Sequence, residues 1–329
     1  MCCSGCCAGS IPLLPEELVR IVFMGSTEFG VPALEALKNK GHDVAGIVST
    51  PASPKGRGLA LHDSPLVSYA KKSGYAPILT PQSLAAMSFA DELRNLAADV
   101  FVVAAFRILP KAVFTIPRLG TYNIHASLLP RYRGPAPVQR AIAAGDRETG
   151  VTIFRIDAGV DTGAIVCARK TGIGPEETAP QLSERLSRLG ADALVEALEL
   201  VASGSSVFAT QDGTLACGAP KLTKAEGRIN WNRPAMEIFN MIRAFKPFPG
   251  AQTFLDDLRI TVEWGVVAGE RDAAAEAPGT VVAAPKDGFD VQCASGRIRV
   301  LLVRPEGKKT MTARDFANGR GIVVGTRFA

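Results

Sequence analysis

Histidine is nearly missing from this chain: among 329 residues there are only His42, His62 and His125. Any imidazole chemistry must run through one of these three. Long apolar runs are missing too. None reaches the roughly 20 residues that a membrane-spanning helix needs, so no membrane partner is expected. No G-x-G-x-x-G follows a strand, which removes the dinucleotide fingerprint and with it a nicotinamide-dependent dehydrogenase. No G-x-S-x-G is present, so the chain lacks a serine-hydrolase nucleophile elbow. Strong charge imbalance is absent as well. The 37 basic and 32 acidic residues leave a net charge of +5, too mild to indicate nucleic acid by itself.

Cysteine is present but poorly arranged for a metal. Four of the seven sit in "MCCSGCC", and Cys167, Cys217 and Cys293 are scattered. No histidine or second cysteine cluster completes a site with Cys3 and Cys6, so no metal is expected. The same stretch lacks a basic start and a long apolar segment, and it does not read as a secretory signal. Residues 1–18 are read as a disordered Cys-rich extension. The scattered cysteines fit a reducing cytoplasm, or an organelle matrix in a eukaryote.

What is there is an alternation of apolar strands and helices. "RIVFMG", "HDVAGIVST", "ADVFVVAAF" and "GTYNIHAS" read as strands, and "VPALEALKNKG" and "SPLVSYAKKSG" read as helices with glycine stops. This order implies an α/β fold, a Rossmann-like parallel sheet with helices on both faces. "GVTIFRI" and "GAIVCARKTGI" look like further strands around "DAGVDTG", followed by one long amphipathic helix. Catalytic-domain texture covers 19–203, and a polar, turn-rich linker covers 204–222. Residues 223–329 then form a helix and five short strands separated by Gly, Asp and Pro, the pattern of an OB-like β-barrel. From Ser295 onward eight Lys/Arg face only Glu306 and Asp315, so the basic excess lies at this end.

The candidate chemistry lies in "YNIHASLLPRYRG", Tyr122 to Gly134. Residues two apart in a strand share a face, so Asn123 and His125 project together at a strand end, where α/β folds place their sites. A neutral imidazole accepts a proton, and a carboxamide donates to a developing oxyanion. The pair suits acyl transfer to an amine or water. Asp157 and Asp161, in the glycine-rich "DAGVDTG", are the carboxylates available to orient the imidazole. With no cysteine nearby and no serine elbow, the nucleophile is expected to be a bound substrate.

"NIHASLLPRYRGPAPVQRAIAAGDRETGVTIFRIDAGVDTGAIV" closely resembles the catalytic segment of the methionyl-tRNA formyltransferases, within the folate-dependent formyltransferases. The likeness extends through "STPASPKGRG" and "KLTKAEGRINWNRPAMEIFNMIRAFKPFPGAQT" to "GKKTMTARDFANG". The resemblance implies a catalytic trio of Asn123, His125 and Asp161, with Ser127, Leu128, Leu129 and Pro130 lining the folate site. It implies 10-formyltetrahydrofolate as formyl donor and the α-amino group of initiator methionyl-tRNA as acceptor, handled by a monomer. Arg57, in "SPKGRG", matches the basic residue of a tRNA-entering loop, and Lys308 and Lys309 are expected to contact tRNA phosphates. Two departures stand out: the loop continues as "LALHD" rather than with lysines, and "AAFRILP" lacks the usual aromatic-Gly pair, with Arg107 in its place. Rival readings are a formyltransferase acting on an amino-sugar nucleotide and a non-catalytic RNA-binding protein. The similar C-terminal half argues against the first and the intact polar trio against the second.

Overall fold

The computed structural model describes residues 18–55, 60–269 and 276–329. The Cys-rich extension up to residue 17 lies outside them. The N-terminal part is built on strands β1 (Arg20–Gly25), β2 (Asp43–Val48), β5 (Ile78–Leu79), β6 (Val100–Ala104), β7 (Thr121–His125), β8 (Glu148–Arg155) and β9 (Ile165–Gly172). A small hairpin, β3 (Ser53–Lys55) and β4 (Ala60–His62), stands apart from them. The seven main strands form one sheet in the order β5-β2-β1-β6-β7-β8-β9.

Side chains alternate across this sheet as the pleat requires. Ile21, Phe23, Val102, Tyr122, Ile124 and Ile153 pack against helices α1 (Val31–Asn39), α2 (Pro65–Lys72), α5 (Pro137–Ala143) and α6 (Ala179–Ala202). Val22, Met24, Phe101 and Val103 pack against α3 (Met87–Asn95) and α4 (Lys111–Phe114). Both faces are covered, as expected. The strands are not parallel throughout, however. β1, β2, β5, β6 and β7 are parallel, while β8 runs antiparallel to β7 and β9 antiparallel to β8. Residues 156–164 between β8 and β9 are too few for the crossover of a dozen or more residues that a parallel return demands.

Helix α6 explains why β7 sits where it does. Its N-terminus carries a reciprocal Thr178–Gln181 capping box, and Leu182, Leu186, Leu194, Leu198 and Val201 form its buried stripe. Gly190 lets it approach closely. A Cβ there would lie 2.7 Å from Ile124 Cγ2, so any larger residue would push the helix off the strand that carries Asn123 and His125.

The C-terminal part begins with α7 (Ala235–Ala244) and continues with β10 (Ala251–Leu255), β11 (Leu258–Val267), β12 (Val281–Ala283), β13 (Phe289–Gln292), β14 (Arg297–Pro305), β15 (Met311–Thr312) and α8 (Ala313–Arg320). The strands make an antiparallel sheet in the order β10-β11-β14-β13-β12, with β15 on β14. The sheet curls around Ile238, Phe239, Val262, Phe289, Val291, Val300 and Phe316. Residues 325–329 bridge its two edges. Val281 and Gly279 bond Thr326 and Phe328 on one side, and Phe254 bonds Ala329 twice on the other.

The two parts meet through α7. Ala244 and Phe245 enter the N-terminal core, and the buried Arg243 donates to the Gly174 and Glu177 carbonyls at the entry to α6. Arg140 of α5 adds an ion pair with Glu226 at 2.6 Å and two bonds to the Pro220 carbonyl.

Candidate active site

Asn123 and His125 occupy the C-terminal end of β7 on the face opposite Tyr122 and Ile124, which are core residues. His125 is 5% exposed. Its Nε2 lies 2.9 Å from the Tyr132 carbonyl oxygen, which can only accept a hydrogen bond. The proton of the neutral ring therefore sits on Nε2, and Nδ1 is left as the basic nitrogen. Nδ1 faces Asp161 Oδ2 at 3.7 Å. Burial pulls the His125 pKa below its ordinary value, while the Asp161 charge pushes back. The imidazole is consequently neutral at pH 7 and becomes charged only by taking up a proton, with the carboxylate beside it to receive the charge.

Of the two candidate carboxylates, Asp161 is the one that reaches the ring. Asp157 is committed to its own turn, accepting from Gly159 N at 3.0 Å and Thr162 Oγ1 at 2.6 Å. The turn closes tightly on β8: a Cβ at Gly163 would meet the Arg155 carbonyl at 1.7 Å. Asp161 itself has φ +53°, in the left-handed region. Its Oδ2 accepts from Gly134 N at 2.7 Å.

The apolar turn follows immediately. Ser127 and Leu129 are buried, while Leu128 and Pro130 carry the accessible surface. Ser127 Oγ is already used, donating to the Arg131 carbonyl at 2.6 Å. The Leu129–Pro130 peptide is cis. Thr152 of β8, opposite His125 in the ladder and fully buried, pins the turn from below. Its Oγ1 donates to the Ser127 carbonyl at 2.7 Å and accepts from Leu129 N at 3.1 Å. Sequence reading passed over Thr152. The only signal was a hydroxyl inside the apolar middle of that strand, residues 150–154.

Asn123 differs from its neighbours. Among the described residues no group hydrogen-bonds its carboxamide, and the side chain is half-exposed. It is a free donor beside the imidazole.

The chain matches the formyl transferase model over residues 19–198 and the formyl transferase C-terminal domain over 221–321. A curated methionyl-tRNA formyltransferase from Marinobacter nauticus is 43% identical, covering 92% of this chain and 96% of its own length. One from Geobacter sulfurreducens is 41% identical, with 94% and 96% covered. The chain belongs to the methionyl-tRNA formyltransferase family. Among solved structures, a methionyl-tRNA formyltransferase from Clostridium thermocellum shares the fold at TM-score 0.52 and 16% identity, over 76% of this chain and 94% of that one. HypX from Aquifex aeolicus in complex with tetrahydrofolic acid matches at TM-score 0.65 and 16% identity, over 92% of this chain and 48% of that one.

The remaining expected residues lie elsewhere. Arg57 lies outside the described residues. Lys308 and Lys309 are exposed on the turn between β14 and β15, in the other domain. The basic surplus around them is smaller than the local sequence implies. Arg304 pairs with Glu263 and Arg299 with Asp290, so acids from β11 and β13 offset two of its arginines. Arg107 does not project outward: it folds back to the Pro81 and Gln82 carbonyls and lies over Phe106. Ala105 takes φ +48°, a left-handed conformation that glycine adopts more readily than alanine. No group of described residues could hold a metal ion, and no described helix is long and apolar enough to cross a membrane. Cys167 and Cys293 are thiols pushed up to about 11 and about 12 by burial, and so are poor nucleophiles.

Proposed function

We propose that this protein transfers the formyl group of 10-formyltetrahydrofolate to the α-amino group of initiator methionyl-tRNA, with Asn123, His125 and Asp161 as the reacting machinery. The observation that carries this reading is the pairing of a free Asn123 carboxamide with a buried, neutral His125 backed by Asp161. Membership of the family supplies the substrates, and the folate-bound HypX shares the fold.

The residues divide the work as follows. The uncharged amine attacks the formyl carbon. Asn123 donates to the formyl oxygen as it gains negative charge, a contribution typically of about 100- to 1000-fold. His125 Nδ1 takes the proton that the amine loses, and Asp161 stabilises the resulting imidazolium. The bond from the formyl carbon to N10 breaks, and N10 leaves with a proton returned from His125. Leu128 and Pro130 offer an apolar wall for the flat donor. Arg57, Lys308 and Lys309 contact tRNA phosphates, and the site of action is the compartment where initiator tRNA is charged.

Incubation with 10-formyltetrahydrofolate and methionyl initiator tRNA should yield formylmethionyl-tRNA, with no transfer to an amino-sugar nucleotide. Transfer to the sugar amine, and none to tRNA, would overturn the reading.

A further inference from the structure

Gln211 lies in the connector between the two domains, at a position that composition alone marks as linker. Its carboxamide is fully used. Nε2 donates to the Asp161 carbonyl at 2.9 Å and to the Gly163 carbonyl at 2.8 Å. Oε1 accepts from Arg133 Nε at 3.1 Å and Arg133 Nη2 at 2.8 Å. Carbonyls only accept and a guanidinium only donates, so the amide has a single possible orientation. Asp161 is thereby gripped from two sides: Gln211 holds its carbonyl, and Gly134, next to Arg133, holds its carboxylate at 2.7 Å. A non-glycine residue at φ +53° persists only where its surroundings hold it there.

The connector around Gln211 is itself fastened. Ala209 exchanges two main-chain bonds with Ile165 just beyond the Asp161 turn, and Arg133 exchanges two with Cys217 and Ala219. The side chain therefore spans two walls of the site at a fixed distance.

We infer that Gln211 is a positioning residue: by locking the Asp161 main chain to Arg133 it sets the reach from the Asp161 carboxylate to His125 Nδ1. This rests on the reading of Asp161 and His125 as the acid–base pair. The 3.7 Å gap is long enough that a small rotation of the turn would open or close it. Of the charged or titratable groups near the pair, Asp157 is held in its own turn and Arg155 lies over Phe208. The Tyr132 hydroxyl and Arg131 are bonded to Asp146, and Arg133 is bonded to Gln211. Asp161 is therefore the group whose displacement His125 would register.

The test is titration of His125 by NMR in full-length protein labelled at its three histidines, alongside steady-state formylation kinetics. Gln211→Leu removes all four bonds. Gln211→Glu keeps an acceptor for Arg133 but loses both donors to the turn, and serves if the leucine variant does not fold. Asp161→Asn calibrates the readout by lowering the His125 pKa. Both Gln211 variants should shift the His125 titration, by a smaller amount than Asp161→Asn does. They should lower kcat by about 10-fold with KM for tRNA within about twofold, as expected of a sub-ångström misplacement. Folded Gln211 variants in which His125 titrates as in wild type would overturn the inference and leave the pair intact. An unshifted His125 in Asp161→Asn would instead overturn the pair, and the inference with it.

Discussion

Replacing Thr152 by valine tests whether the apolar turn beside His125 is held from beneath. Valine has nearly the same shape, so little cavity or crowding arises. What disappears is one hydroxyl that serves two main-chain groups, the Ser127 carbonyl and the Leu129 amide. Thr152 and Ser127 are fully buried and Leu129 is 8% exposed, so water cannot readily replace it. Each orphaned buried group costs about 1–3 kcal/mol, giving about 2–6 kcal/mol for the pair. In a domain of this size each kcal/mol moves the melting temperature by about 2–4 °C, so a drop on the order of 10 °C is expected. Thr149→Val is the control. It is the same change on the same strand, at a residue 3% exposed, and among the described residues its side chain has no hydrogen-bond partner. It should be close to neutral. Scanning calorimetry of both variants decides the matter, and formylation kinetics should show a raised KM for the folate donor in Thr152→Val alone. Equal melting temperatures for the two variants would refute the reasoning.

Asn123→Ala should lower turnover by about 100-fold or more with melting unchanged, because its carboxamide supports nothing else in the fold; near-normal turnover would remove it from the mechanism. Asp161→Asn should move the acid limb of the rate profile to lower pH. Asp161 is the charge that raises the His125 pKa against burial, and the neutral imidazole is the working form; a limb moving to higher pH would contradict this. His125 titrates below its unfolded value, so its contribution to stability is full above about pH 6.5 and is lost as pH falls towards the folded pKa, which a melting series across pH 5–8 will show. Neutralising Lys308 and Lys309 together should flatten the dependence of tRNA affinity on salt, by about 0.9 in log–log slope for each phosphate that the lysines had neutralised; superimposable lines would assign these lysines to solvent.

Much of this was legible in the amino-acid order. Fully apolar runs such as Val100–Ala104 announced central strands, and the stripe of α6 announced its length. Strand direction was not legible, because β8 is buried like its parallel neighbours and its side chains carry no arrow. The pairing of Asn123 with His125 followed from strand spacing. Spacing alone did not choose Asp161 over Asp157: the family resemblance named Asp161, and the folded turn shows why, since Asp157 is consumed by its own threonine. Thr152 and Gln211 were invisible for a related reason. A polar side chain acquires its meaning from main-chain partners that no periodicity encodes. The net charge of the C-terminal end was not legible either, since a sequence window counts Arg299 and Arg304 without the acids from other strands that pair with them.

The fastening of residues 209–219 also bears on how such proteins can be recombined. A crossover placed at residue 203, where the long helix stops, would graft on a foreign domain together with a foreign strap. Ala209, Gln211 and Ala219 would all be exchanged, although each bonds the catalytic half. A crossover after Pro220 would leave the strap with its own partners and cut where the second half takes over. Chimeras joined at the later point should tolerate a distant donor. Those joined at the earlier one should require a donor whose strap already matches, so lineages that have swapped this domain should carry their seam on the far side of Pro220.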